Sequence, residues 1–80
     1  MSVKFLFFAQ CSDWMEMRQL DLPVNAPTSV DHLLDTDPRF QPLKERLSYI
    51  KIAINNELTT SQAEVRDGDE VAFMPPYSGG

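Results

Sequence analysis

A short, nearly unbroken apolar segment close to the start, Val3-Lys4-Phe5-Leu6-Phe7-Phe8-Ala9-Gln10, constrains this chain more than any other stretch. Aromatic residues favour extended backbone and the run is too short for a stable helix, so it predicts a first β-strand. Its apolar character on both faces places that strand inside a sheet. A second run, Glu70-Val71-Ala72-Phe73-Met74, stands near the other end, with Val71 and Phe73 on one face and Ala72 and Met74 on the other.

Between these runs, the break at Ser12-Asp13 is followed by a helical turn or loop over Trp14 to Met17. Partial alternation from Met17 to Val24, ending at Pro23, predicts a second strand in a hairpin with the first. Pro27-Thr28 then opens a helix, with Thr28 as N-cap, Asp31 three residues on, and Val30, Leu33 and Leu34 as the apolar stripe. Asp37-Pro38 stops it. A second helical stretch, Pro42 to Ser48, sets Leu43 and Leu47 on one face and turns Lys44, Glu45 and Arg46 outward. Tyr49 to Asn55 reads as a strand with Ile50, Ile52 and Ile54 on one side. Asn55-Asn56 is a turn, Glu57-Leu58-Thr59 a short edge strand, and the segment to Arg66 irregular, before Asp67-Gly68 punctuates the chain ahead of the last strand.

This order describes an α+β domain in which helices pack on one face of a mixed sheet. The β-grasp, or ubiquitin-like, arrangement fits it best, because there the first and last strands lie side by side in the centre. Eighty residues make one domain, and at this size only about 60 to 65% of the unfolded chain's surface is buried on folding, so the core is small. Pro75-Pro76 ends strand pairing, since proline has no N–H to donate and favours an extended conformation. The expected organisation is a domain over residues 1–74 and an extended tail over residues 75–80.

Composition narrows the function. Apolar residues at 42% and charged residues at 24% match ordinary globular usage. Twelve acidic against seven basic residues give a net charge of −5, a sign that repels phosphate backbones and anionic lipid, so neither nucleic acid nor membrane is an expected partner. No apolar run approaches the roughly 18 residues of a membrane span, and Met-Ser-Val-Lys-Phe lacks a signal-peptide pattern, which predicts a cytoplasmic protein. The single cysteine, Cys11, has no internal disulfide partner and fits a reducing compartment.

The sequence closes on Ser78-Gly79-Gly80. Two glycines make the thinnest thread a polypeptide offers, able to enter a channel that any side chain would block. The expected working group is the α-carboxylate of Gly80. Six residues from Pro75 to Gly80, extended at about 3.3 to 3.6 Å each, reach roughly 20 Å from the sheet into a partner's pocket. The prolines stiffen the base of that arm and lower its ordering cost.

The stretch Asp67-Gly68-Asp69-Glu70-Val71-Ala72-Phe73-Met74-Pro75-Pro76-Tyr77-Ser78-Gly79-Gly80, with Val3 to Gln10 at the front, resembles the MoaD-type sulfur carriers, the small subunits of molybdopterin synthase. Ala53-Ile54-Asn55 is similar to that family's third strand, whereas Ser12-Asp13-Trp14 departs from the Arg-Glu helix start usual there. The resemblance implies that Gly80 is adenylated by an ATP-dependent, MoeB-type activating enzyme and converted to a thiocarboxylate. It then serves as sulfur donor to cyclic pyranopterin monophosphate on the large, MoaE-type subunit, in a heterotetramer. Gly79, Ser78, Tyr77, Pro76 and Pro75 would thread the tail into the partner. No bound cofactor is implied, only the glycyl adenylate and thiocarboxylate as transient covalent forms. On this reading the chain is not catalytic alone. It is the sulfur-donor subunit of a two-subunit sulfurtransferase. A carrier for thiamine thiazole, or for another biosynthetic pathway, and a ubiquitin-like modifier joined to lysines are the alternatives. A purely structural adaptor is the remaining reading.

Phe8, Leu58 and Met74 are the candidate partner-binding residues: they either share the sheet face away from the helices or fill the core. Cys11 has only Asp13 as a close charged neighbour, which disfavours a thiolate and indicates a structural role. One histidine, His32, and one cysteine offer no metal-ligand cluster, so no metal site is expected. Asp67, Asp69 and Glu70 have a turn explanation and a second expected role in electrostatic contact with a basic partner. Trp14 is either the edge of the core or a contact residue.

Overall fold

Alternation in the first strand sets the frame. A computed structural model describes residues 2–76, and in it β1 (Ser2–Phe7) buries Val3, Phe5 and Phe7 and leaves Lys4 exposed. β1 pairs antiparallel with β2 (Gln19–Pro23) and parallel with the final strand, β7 (Glu70–Met74), in the register Phe5↔Val71 and Phe7↔Phe73. β7 in turn pairs antiparallel with β4 (Lys51–Ile54), and β4 with β5 (Glu57–Thr59). The sheet order is therefore β2-β1-β7-β4-β5, with the first and last strands adjacent inside it. The β4–β5 turn places both Asn55 (φ 51°) and Asn56 (φ 71°) in the left-handed region, the combination a two-residue type I′ hairpin requires.

Three short helices, α1 (Gln10–Met15), α2 (Val30–Thr36) and α3 (Gln41–Lys44), together with 3₁₀ turns at Pro38–Phe40 and Leu47–Tyr49, supply the other layer. The core lies between the layers. Phe73 stacks on Phe5 and Phe7 with ring centroids 5.9 and 5.7 Å away, and Phe40 meets Phe5 edge-on at 5.1 Å. Val3, Leu22, Val30, Leu34, Leu43, Ile52, Val65 and Val71 join it, as do Cys11 and Met15 from α1, with Leu33, Leu47, Ile50 and Ile54 packed against its edge.

Several boundaries differ from the sequence expectation. In place of the helical turn or loop expected over Trp14 to Met17, a helix runs from Gln10 to Met15, because Cys11 and Met15, four apart, both turn into the core. Thr28 is not the N-cap of α2. Thr28 and Ser29 form a short strand, β3, paired with β6 (Glu64–Val65) inside the segment expected to be irregular, and this moves the cap to Ser29, whose Oγ accepts from His32 N at 3.1 Å. Asp37-Pro38 ends α2 as expected, and the Asp37 side chain accepts from Arg39 N at 3.0 Å to start the next turn. The helical stretch expected over 42–48 divides into α3 and a 3₁₀ turn. Arg46 is not turned outward: it is half-buried, with Nη1 donating to the Pro42 carbonyl at 2.8 Å and its guanidinium 4.9 Å from the Trp14 ring centre. Trp14 is thus the edge of the core, capped by a cation–π contact.

Candidate functional site

The face of the sheet away from the helices carries an apolar surface that the strand register assembles. Side chains alternate across a strand, so positions Leu6, Ala72 and Met74 share this face while Phe5, Val71 and Phe73 point into the core. Across β7, Ala53 sits opposite Ala72 and Lys51 opposite Met74. Across β4, Leu58 sits opposite Ala53. Phe8, just past β1, is held to β7 by its N–H donating to the Phe73 carbonyl at 3.0 Å.

The three residues expected at a docking surface are therefore together on the open face. Phe8 and Leu58 are 47% and 69% exposed, values that no core residue has, and Met74 is half-buried beside them. With Ala9, Lys51, Pro75 and Pro76 they line a mainly apolar groove of about 440 Å³ where the chain leaves β7. Pro75 is buried and Pro76 half-buried, so the chain leaves the sheet packed against the body of the domain. Tyr77, Ser78, Gly79 and Gly80, the other expected tail residues, lie outside the described residues.

Leu6, Ala53 and Ala72 were missed as site residues. The signal was present in the period of two, since Leu6 precedes Phe8, and Ala72 precedes Met74, by two residues along an extended chain. Lys51 and Ala9 were missed because their place depends on the pairing of β4 with β7 and on a turn.

The remaining reactive groups are occupied structurally. Cys11 is fully buried and its thiol is pushed up to about 11 by desolvation, so it holds its proton at neutral pH. Asp69 accepts from Asn55 Nδ2 at 3.0 Å and from Arg66 N at 2.9 Å, which commits its carboxylate to the turn before β7. His32 is exposed on α2. Among the described residues, no three His, Cys, Asp or Glu side chains converge as a metal site, and no helix is long and apolar enough to cross a membrane.

Comparison with known proteins matches this geometry. The chain is 34% identical over 79 residues to the molybdopterin synthase sulfur carrier subunit of Arabidopsis thaliana, covering 98% of this chain and 82% of that one. Its fold is similar to the crystal structure of SAMP1 from Haloferax volcanii, with a TM-score of 0.75, 25% identity and full coverage of both chains. It is also similar to a chain of the complex of subunits 1 and 2 of molybdopterin-converting factor from Helicobacter pylori 26695, with a TM-score of 0.68, 26% identity and full coverage of both. The architecture is the β-grasp, and with a family model matching residues 5–80 the chain belongs to the ThiS family.

Proposed function

We propose that this protein is the sulfur-carrier small subunit of a molybdopterin synthase. The observation that carries the reading is the continuity of the open apolar face, through Met74 and the seated Pro75-Pro76, with the sequence that leads to Gly79-Gly80. A carrier needs both parts: a surface that a partner recognises and a thin end that enters the partner's site. The similarity to molybdopterin synthase sulfur carrier subunits supports the choice of pathway.

In this reading the Gly80 carboxylate attacks the α-phosphorus of ATP on an adenylating enzyme, releasing pyrophosphate and forming the glycyl adenylate. A carboxylate with a pKa near 3.5 is ionised and a poor electrophile, whereas the adenylate carries AMP as a leaving group, so a sulfur nucleophile displaces it to leave a thiocarboxylate. The large subunit then receives that sulfur for the dithiolene of molybdopterin, using its own catalytic residues: hydrolysis of the acyl–sulfur bond leaves the sulfur on the pterin and returns Gly80 to its carboxylate, so two thiocarboxylates are spent per dithiolene. The carrier binds no cofactor of its own. We infer that it works in the cytoplasm, where ATP is supplied.

Reconstitution with the cognate adenylating enzyme, ATP, a sulfide source, the large subunit and cyclic pyranopterin monophosphate tests this directly. Molybdopterin formation that requires every component is the expected result, and formation at the same rate without this chain overturns the reading. A second reading has one specific support: SAMP1, to which the fold is similar, is by name a small archaeal modifier protein. An isopeptide bond from Gly80 to a lysine in place of thiocarboxylate transfer would establish that role.

A further inference from the structure

Ala9 occupies a backbone conformation that glycine fits and alanine does not. Its φ of 50° and ψ of −126°, with Cys11 N donating to the Phe8 carbonyl at 2.9 Å, make it the first central residue of a type II′ turn, where any Cβ meets the backbone. The surroundings hold the turn in place. Phe8 N donates to the Phe73 carbonyl, the Ala9 carbonyl accepts from Ser12 N at 3.1 Å and from Ser12 Oγ at 2.7 Å, and Cys11 is anchored in the core. None of these interactions involves the Ala9 methyl, and glycine would make them all without strain.

The methyl does not fill the core either, since Ala9 is exposed. What Ala9 does line is the groove of Phe8, Leu58, Met74 and the two prolines, where the chain leaves β7. Strain kept at an exposed position beside a candidate site points to function. We propose that Ala9 is a docking contact of the carrier, its methyl forming one wall of a seat for an apolar side chain of the large subunit. This inference rests on the docking reading above. The mainly apolar lining fixes the chemistry of the occupant, and the similarity to a chain of a two-subunit complex favours the large subunit as its source.

The seat makes stability and affinity move in opposite directions. Ala9→Gly relieves the turn, which offsets the extra freedom glycine gains in the unfolded chain, so Tm is equal or higher. The same change removes a methyl from the groove, and affinity for the cognate large subunit, read by calorimetric titration, falls about four-fold. Ala9→Asn, a residue type II′ turns accept, places an amide in the apolar seat and weakens binding by about ten-fold with the fold retained. Met74→Asp, in the same titration, reports on the docking face itself. Weakening by Met74→Asp with unchanged affinity in both Ala9 variants overturns the inference and leaves the docking reading standing. Unchanged affinity in all three overturns both. A Tm that falls together with affinity in Ala9→Gly also overturns it, since the methyl would then be structural.

Discussion

Phe73 and Met74 are neighbours in β7 and serve opposite sides of the sheet: the Phe73 ring is fully buried between Phe5 and Phe7, while Met74 stands on the open face across from Lys51. On the proposed function the two positions therefore separate folding from docking. Phe73→Ala removes the ring about which the aromatic core is arranged and costs about 3 to 5 kcal/mol in denaturant unfolding. Met74→Asp leaves unfolding within about 1 kcal/mol of the unmodified chain, retains the circular dichroism spectrum, and loses large-subunit binding.

Asn55 fastens the β4–β5 turn to the start of β7. Its Oδ1 accepts from Glu70 N and its Nδ2 donates to Asp69 Oδ1, both at 3.0 Å, while its own N–H donates to the Glu70 carbonyl at 2.8 Å. Asn55→Ala leaves two of these groups without their partner and puts alanine at φ 51°, costing about 2 kcal/mol. A double-mutant cycle with Asp69→Ala yields a coupling energy of about 1 kcal/mol, and a cycle with no coupling would remove Asn55 from this role.

Much of this was legible because strands report their faces at a period of two. Phe5 and Phe7 against Leu6, and Phe73 against Met74, assign the core and the open face before any pairing is known, and Asn55-Asn56 announces the hairpin. Residues whose role comes from tertiary context were not legible. Phe40 reaches the aromatic core from a 3₁₀ turn with no periodic pattern around it. Cys11 and Met15 are a single i, i+4 pair behind what reads as a break. Thr28 has the chemistry of a cap but is claimed by pairing with Val65, and the next residue caps instead. The burial of Pro75 where the chain leaves β7 has no sequence signal, because nothing in the residues themselves marks a proline ring that packs after a strand.

Cys11 gives the fold a limit at alkaline pH. Its pKa is raised in the folded state to about 11 by burial, against about 8.5 for a free thiol, so the stability it confers is whole below about pH 8.5 and is lost as pH rises from there through the folded value. Cys11→Ala flattens the alkaline limb of the stability curve. Native protein resists iodoacetamide at pH 8 and reacts once unfolded, and rapid alkylation of the native form would show the thiol to be accessible.

Asp37 sets the opposite limit. Its hydrogen bonds from Arg39 lower its pKa in the folded state, so its contribution is present above the unfolded carboxylate value of about 3.9 and disappears as pH falls through the folded one. Asp37→Asn shallows the acid limb of the unfolding curve. An acid limb identical to that of the unmodified chain would mean that the Asp37–Arg39 pair confers no pH-dependent stability.

Intact mass spectrometry of the chain after incubation with the cognate adenylating enzyme, ATP and a sulfide source tests the central claim most directly. The account predicts a mass gain equal to one sulfur-for-oxygen exchange, located by fragmentation at Gly80 and absent when ATP is omitted. An unchanged mass with an active enzyme, or sulfur located at any other residue, would contradict it.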